Sequence, residues 1–266
     1  MLDKAWTTIE CNLAENVLQI TLDRPDLLNA INAQMRTELS EAFNLAATNQ
    51  QVRAILLTGN GRAFCAGQDL GERPPLPDGR KYDLGEGLEN EYNPLMRQLA
   101  SLEKPLIAAV NGVAAGAGVS LGLAADVTFA SDNARFIASF SNIGLGPDCG
   151  ASWILPHLIG PQRAKAFLMS GQPVTAQTAA EWGMIWQALP AEELLPAARD
   201  FAYALAAKGP LSLAAIKRTT NAAWGNTYAE QLDLERDTQR QVGHSDDYTE
   251  GLAAFREKRK AVFTGR

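Results

Sequence analysis

Apolar and polar positions alternate loosely over residues 5–12 and 16–22, where Ile9, Val17, Ile20 and Leu22 set the apolar beat. A period near two predicts two strands, joined at Ala14–Asn16, with Arg24-Pro25 stopping the second. From Ala30 to Ala47 the period lengthens. Met35, Leu39, Phe43 and Leu45 recur at near-helical spacing, which predicts an amphipathic helix. Val52–Thr58 (VRAILLT) is an unbroken apolar run bounded by Gly59 and Gly61, the pattern of a buried strand. Pro105–Val110 (PLIAAV) reads the same way, and Asp126–Ala130 and Ala134–Ile137 read as shorter strands. Gly71–Asn93 is polar and rich in Gly, Pro and charge, which predicts a long loop.

Two glycine-rich turns each lead into a helix: GVAAGAGVSLGLAAD after Asn111, and Gly144–Gly150 (GLGPDCG) before ASWILPHLIG. Beyond Pro161 helical spacing dominates, over 161–170, 175–183, 191–207, 210–224, 227–240 and 246–258. Strands interleaved with helices predict an α/β, stacked ββα core over 1–195, followed by a helical region over 196–266.

Composition narrows the function classes. Of 266 residues, 46% are hydrophobic and 20% charged, which is globular composition. The charge is −6, from 24 basic and 30 acidic residues. A duplex-binding surface normally carries a basic excess, so no nucleic-acid partner is expected. Cys11, Cys65 and Cys149 are far apart and in no zinc spacing, so neither a disulfide framework nor a metal site is expected. His157 and His244 are the two histidines, too few for a histidine cluster. No apolar run approaches the ~18 residues of a membrane span. The start MLDKAWTTIECN has no signal-peptide layout, so the cytoplasm is the expected location.

The candidate chemistry sits in the turns. GAGVSLG (Gly116–Gly122) fails the dinucleotide fingerprint, because the position needing glycine is Leu121. Its small residues allow close backbone approach, and its N–H groups at a strand-to-helix turn are suited to an oxyanion cradle. AFCAGQDL (Ala63–Leu70) is a second cradle candidate, with Gly67 able to turn the Gln68 N–H inward. Asp148 has two competing readings. One is the N-cap of a helix starting near Cys149; the other is a partly desolvated general base with a raised pKa. Cys65 and Cys149 lack an evident basic partner and read as small buried residues. No G-x-S-x-G elbow accompanies the histidines, which read as structural. The basic tail FREKRKAVF (255–263) is either a solvated helix end or a phosphate contact.

Together these pieces resemble the crotonase, or enoyl-CoA hydratase/isomerase, superfamily. The segments that carry the likeness are LDRPDLLNAIN (22–32), ILLTGNGRAFCAGQDL (55–70), KPLIAAVNGVAAGAGVSLGLAADVTFAS (104–131), ARFIASFSNIGLGPDCGASWILP (134–156) and EGLAAFREKRKAVF (250–263). The resemblance implies a spiral of ββα turns, a C-terminal helical region used in trimers or dimers of trimers, and an acyl-CoA substrate with no further cofactor. It assigns the oxyanion donors to the N–H groups of Gln68 and Ala117. It places CoA near Arg24, Leu28, Ala66, Asp69 and Leu70, with Phe255 and Lys258 reaching the nucleotide end, from the same or a neighbouring subunit.

Hydratases of the family carry two glutamates where this chain has Ser120 and Phe140. A carboxylate stands instead at Asp148, as in the isomerase branch. FSNIGLGPDCG, EWGMIWQ (181–187) and residues 231–251 resemble those members that convert a ring-1,2-epoxide of phenylacetyl-CoA to an oxepin in phenylacetate catabolism. Other enzymes of that route are then candidate partners. The alternatives are a 3-enoyl-CoA isomerase, an enoyl-CoA hydratase, or a CoA-ester-binding scaffold that needs the donor pair but no base.

Overall fold

A computed structural model describes residues 4–72 and 81–266. In chain order the strands are β1 (Ile9–Ala14), β2 (Val17–Leu22), β3 (Ala54–Gly59), β4 (Ala63–Cys65), β5 (Leu106–Val110), β6 (Val113–Ala115), β7 (Val127–Ser131), β8 (Arg135–Ile137), β9 (Val174–Thr175) and β10 (Gln187–Leu189). The helices are α1 (Ala33–Thr48), α2 (Leu84–Gly87), α3 (Asn93–Ser101), α4 (Ala117–Leu123), α5 (Ala151–Ser170), α6 (Ala176–Glu181), α7 (Ala191–Ala206), α8 (Pro210–Ala222), α9 (Tyr228–Val242) and α10 (Asp246–Glu257).

The strands form two sheets, ordered β1-β2-β3-β5-β7-β10 and β4-β6-β8-β9. Three times the chain runs from a long strand of the first sheet to a short strand of the second: β3 to β4, β5 to β6, β7 to β8. Within each sheet these strands are parallel neighbours, with Ile55 opposite Leu106, Ala108 opposite Thr128, and Ala115 opposite Ile137. A helix follows each step, which builds the ββα spiral. Parallel strands are covered on both faces, and that is why β3 and β5 read as unbroken apolar runs.

The face of the first sheet bearing Leu56, Ile107, Ala109 and Phe129 packs on Leu194, Ala198, Ala202 and Ala206 of α7. The opposite face joins the main core with α1 and the second sheet. Residue 195 therefore falls inside a helix that covers the sheet.

Several expectations shift. The first strand runs over 9–14 rather than 5–12, because Glu15 and Asn16 take the two left-handed turn positions that close a tight hairpin. Short β4, β6 and β10 were not anticipated, since three residues carry no legible period. The expected 71–93 loop is partly helical: α2 is followed by a π-helical turn over Leu88–Tyr92 that runs into α3. Asp83 caps α2 by accepting the Glu86 N–H, and Tyr92, Leu95 and Leu99 bury one face. Gly85 and Gly87 mask that period. Residues 73–80 of the stretch lie outside the described residues.

Glu38 on α1 is buried and accepts from the N–H and hydroxyl groups of Thr7 and Thr8 at 2.6–2.9 Å. Burial pushes its carboxyl up, but hydrogen bonds from Thr8, Gln34 and Thr7 outweigh this and hold it down at about 2. A depressed carboxylate pKa stabilises the fold above the unfolded value and stops doing so as pH falls through the folded value. Glu38→Gln is therefore expected to cost about 2 kcal/mol at neutral pH. Its deficit against the native chain should shrink between pH 4.5 and about 2, read by denaturant unfolding at several pH values.

Candidate active site

Three loops converge where the two sheets meet. The first, 24–31, is held by Asn29, which is fully buried and left-handed at φ 55°. Its side chain accepts the Arg24 N–H at 2.8 Å and donates to the carbonyls of Asn60 and Ala63 at 2.9 and 2.8 Å. The Ala66 N–H then donates to the Leu28 carbonyl at 2.9 Å. Arg24 pairs with Asp69 at 2.9 Å, both side chains being largely buried. Arg24, Leu28, Ala66 and Asp69 are thus brought together, with Leu70 beside them and exposed. Asn29 is the organiser that sequence reading passed over. A single Asn beside Leu28, both at positive φ, gives little signal without its partners.

Ile31 sets the direction of the second loop. Its N–H donates to the Gly67 carbonyl at 2.7 Å and its carbonyl accepts the Asp69 N–H at 3.0 Å. Successive peptide groups in extended chain point opposite ways, so the intervening Gln68 N–H faces away from Ile31. Gly67 makes this possible. Its φ is +93°, and a Cβ there would lie 2.8 Å from the Ala115 carbonyl oxygen and 3.5 Å from the Ala117 nitrogen. The Gln68 loop is therefore packed against the start of α4.

Ala117 is the first residue of α4, so its N–H has no intrahelical acceptor, and the preceding Gly116 supplies no side-chain cap. Gly118 lets the helix approach β4 so closely that a Cβ would sit 2.2 Å from the Cys65 carbonyl oxygen.

The third loop carries Asp148. Its N-cap reading is overturned: α5 begins at Ala151, its N-cap is Gly150, and no side-chain cap bond is made. Asp148 instead gives its backbone carbonyl to the Ala151 N–H at 2.9 Å and to the Ser120 hydroxyl at 3.4 Å. The latter contact seats the loop on the first turn of α4. The Asp148 Oδ1 is buried. Phe140 is 6% exposed and packed into the main core, its carbonyl accepting the Leu145 N–H at 2.9 Å.

The thiols behave as buried groups. Burial pushes Cys65 up to about 12, against a weaker pull from the Gly67 N–H. Burial also raises Cys149, reinforced by the neighbouring Asp148 carboxylate. Each histidine ring engages the backbone carbonyl four residues earlier, His157 with Trp153 and His244 with Arg240. Phe255 and Lys258 lie on the last turn and at the C-cap of α10. Phe255 on α10 is 84% exposed, and Lys258 is the left-handed C-cap of that helix.

This fold and this juncture of loops define a class. The chain belongs to the enoyl-CoA hydratase/isomerase family, whose sequence profile matches residues 12–266. It is an enzyme acting on CoA thioesters, as isomerase or hydratase. It is 46% identical over 255 residues to the 1,2-epoxyphenylacetyl-CoA isomerase of Escherichia coli strain K12, covering 96% of this chain and 97% of that one. A "Probable enoyl-CoA hydratase" of Rhodobacter capsulatus is 42% identical, covering 98% of this chain and all of the relative. Among solved structures, the enoyl-CoA hydratase of Bacillus anthracis superposes with a TM-score of 0.92 at 30% identity, covering 98% of this chain and all of that chain. Among the described residues, no helix is long and apolar enough to cross a membrane.

Proposed function

We propose that the protein is an isomerase that converts the CoA thioester of ring-1,2-epoxyphenylacetate to its oxepin isomer, with Asp148 moving the proton. The N–H groups of Gln68 and Ala117 hold the thioester oxygen as it gains negative charge. Asp148 takes a proton from the carbon next to the carbonyl. The bond between the two epoxide carbons opens, widening the six-membered ring to seven. Asp148 then returns the proton to a ring carbon conjugated with the enolate. Composition is unchanged, so neither water nor a redox partner is required. Phe140 forms an apolar wall for the ring and excludes water.

The observation that carries this reading is the seat of Asp148. Its side chain makes no cap bond to α5, and its backbone is held on α4 by the Ser120 hydroxyl, in the helix whose first N–H is the proposed Ala117 donor. Ser120 and Phe140 stand where hydratases of the family carry glutamates, and neither can activate water. The identity to the Escherichia coli isomerase points the same way.

Arg24, Leu28, Ala66, Asp69 and Leu70 line the path proposed for CoA. Phe255 and Lys258 meet the nucleotide end only from another copy, in a trimer or dimer of trimers. Exposed Trp153, Trp186, Trp224 and Tyr228 supply apolar surface for such an assembly, and sedimentation mass checks it.

Assaying the ring epoxide, a 3-enoyl thioester and crotonyl-CoA side by side tests the reading. The expected order has the epoxide fastest, slow double-bond migration in the 3-enoyl thioester, and negligible hydration of crotonyl-CoA. Rapid loss of the crotonyl absorbance would make the protein a hydratase instead.

A further inference from the structure

Arg36, near the start of α1, has no part in the chemistry above, yet its side chain is only 11% exposed. Three groups from two other segments converge on its guanidinium. Nη2 pairs with the Glu91 carboxylate at 2.8 Å. Nη1 donates to the Tyr92 hydroxyl at 3.3 Å and lies 3.7 Å from the Glu72 carboxylate. The guanidinium carbon stands 5.0 Å from the centre of the Tyr92 ring. Glu91 and Tyr92 close the π-helical turn, and such turns are rare and concentrate at functional sites.

Both attachments lead to Gln68. The buried Tyr92 donates its hydroxyl to the Ile31 carbonyl at 3.5 Å, the same oxygen that accepts the Asp69 N–H at 3.0 Å. Ile31 is bridged to Gln68. On the other side, Glu72 accepts the Ala33 N–H with both carboxylate oxygens, at 3.0 and 2.9 Å. The stretch 68–72 is thus pinned at its start by Ile31 and at its end by Ala33 and Arg36. Arg36, Gln68, Glu72 and Glu91 line one cavity. Desolvation offsets the attraction of a buried ion pair, so such a pair adds little stability over apolar packing. What the planar guanidinium fork supplies is a fixed geometry.

On the reading of Gln68 as an oxyanion donor, we infer that Arg36 is a positioning residue for the reaction. It braces the turn carrying Glu91 and Tyr92 against α1. Through Tyr92, Ile31 and Glu72 it holds the Gln68 N–H at the thioester oxygen, with no contact to the substrate itself.

Arg36→Ala and Tyr92→Phe in the full chain test this with two readouts. One is steady-state kinetics on the ring-epoxide thioester. The other is the carbonyl stretching frequency of bound phenylacetyl-CoA, which lacks the epoxide and cannot rearrange. Hydrogen-bond donors polarise the carbonyl, so the native protein should lower that frequency below its value in free solution. Arg36→Ala should return it part of the way and lower kcat about ten- to a hundredfold, the scale of a misplacement of about 1 Å in an active site. Asp69 stays tied to Arg24, so KM should remain within a few-fold of native. Tyr92→Phe keeps the ring in the core and removes only the hydroxyl link. It should move both readouts the same way by less, several-fold in kcat. Should Arg36→Ala fail to fold, Tyr92→Phe decides by the same readouts. An Arg36 that only stabilised the fold would lower the unfolding midpoint and leave kcat and the frequency alone. Native kcat and native frequency in the folded variants would overturn this inference alone. No lowering of the frequency by the native protein would instead remove the oxyanion donors, and the role of Arg36 with them.

Discussion

Asp148→Asn should bind CoA thioesters as the native chain does and lose isomerisation. Asparagine keeps the volume and the backbone contacts to Ala151 and Ser120, because those use the Asp148 carbonyl rather than its side chain. What it removes is the only change the reaction needs, the ability to accept a proton and give it back. General acid–base catalysis contributes on the order of 10²–10⁴-fold per transfer. One group serving both transfers puts the expected loss in kcat at about a thousandfold or more. Thioester affinity, measured by calorimetry with a non-reacting acyl-CoA, should stay within a few-fold. Near-native turnover in this variant would remove Asp148 from the chemistry and leave a CoA-ester pocket without a base.

Gly67→Ala should be the second severe change, and by a different route. The methyl group would lie 2.8 Å from the Ala115 carbonyl oxygen, a backbone atom with no freedom to yield within β6. At φ +93° an alanine is strained as well. The loop must therefore shift, which breaks its registration against Ile31 and displaces the Gln68 N–H, one of the two proposed oxyanion donors. Loss of one such donor typically costs about 3–4 kcal/mol of transition-state stabilisation, or two to three orders of magnitude in kcat. With ground-state binding assigned to the proposed CoA path along Arg24, Leu28, Ala66, Asp69 and Leu70, KM should change much less than kcat. Steady-state kinetics with the epoxide thioester separate the two. Equal losses in kcat and affinity would mean that the Gln68 loop serves binding alone.

The fold was legible wherever the hydrophobic period was long. Runs such as VRAILLT and PLIAAV declared buried parallel strands, and α1 declared itself through Met35, Leu39 and Phe43. Short elements escaped, because three residues of β4 or β6 cannot establish a period and are defined by their neighbours in the sheet. The helix of 84–101 was hidden by Gly85, Gly87 and dense charge, and needed the core beneath Tyr92 and Leu95 to show it. At the candidate site, Gln68, Ala117 and Asp148 were legible as residue types in motifs, and Asn29 was not. Its role depends on what lies across the fold from it, the Asn60 and Ala63 carbonyls.

By itself, then, the amino-acid order determined the alternation of strand and helix, the turns able to expose N–H groups, and the presence of a carboxylate, Asp148, in the glycine-rich turn before α5. These are local properties, set by side-chain period and by backbone freedom at glycine. Only the tertiary structure decided that the Asp148 side chain does not cap α5, that the Gln68 N–H faces away from Ile31, and that Asn29 ties Arg24 to the Asn60 and Ala63 carbonyls. Each of those depends on groups far apart in sequence or on a backbone angle imposed by packing, and no local pattern encodes either.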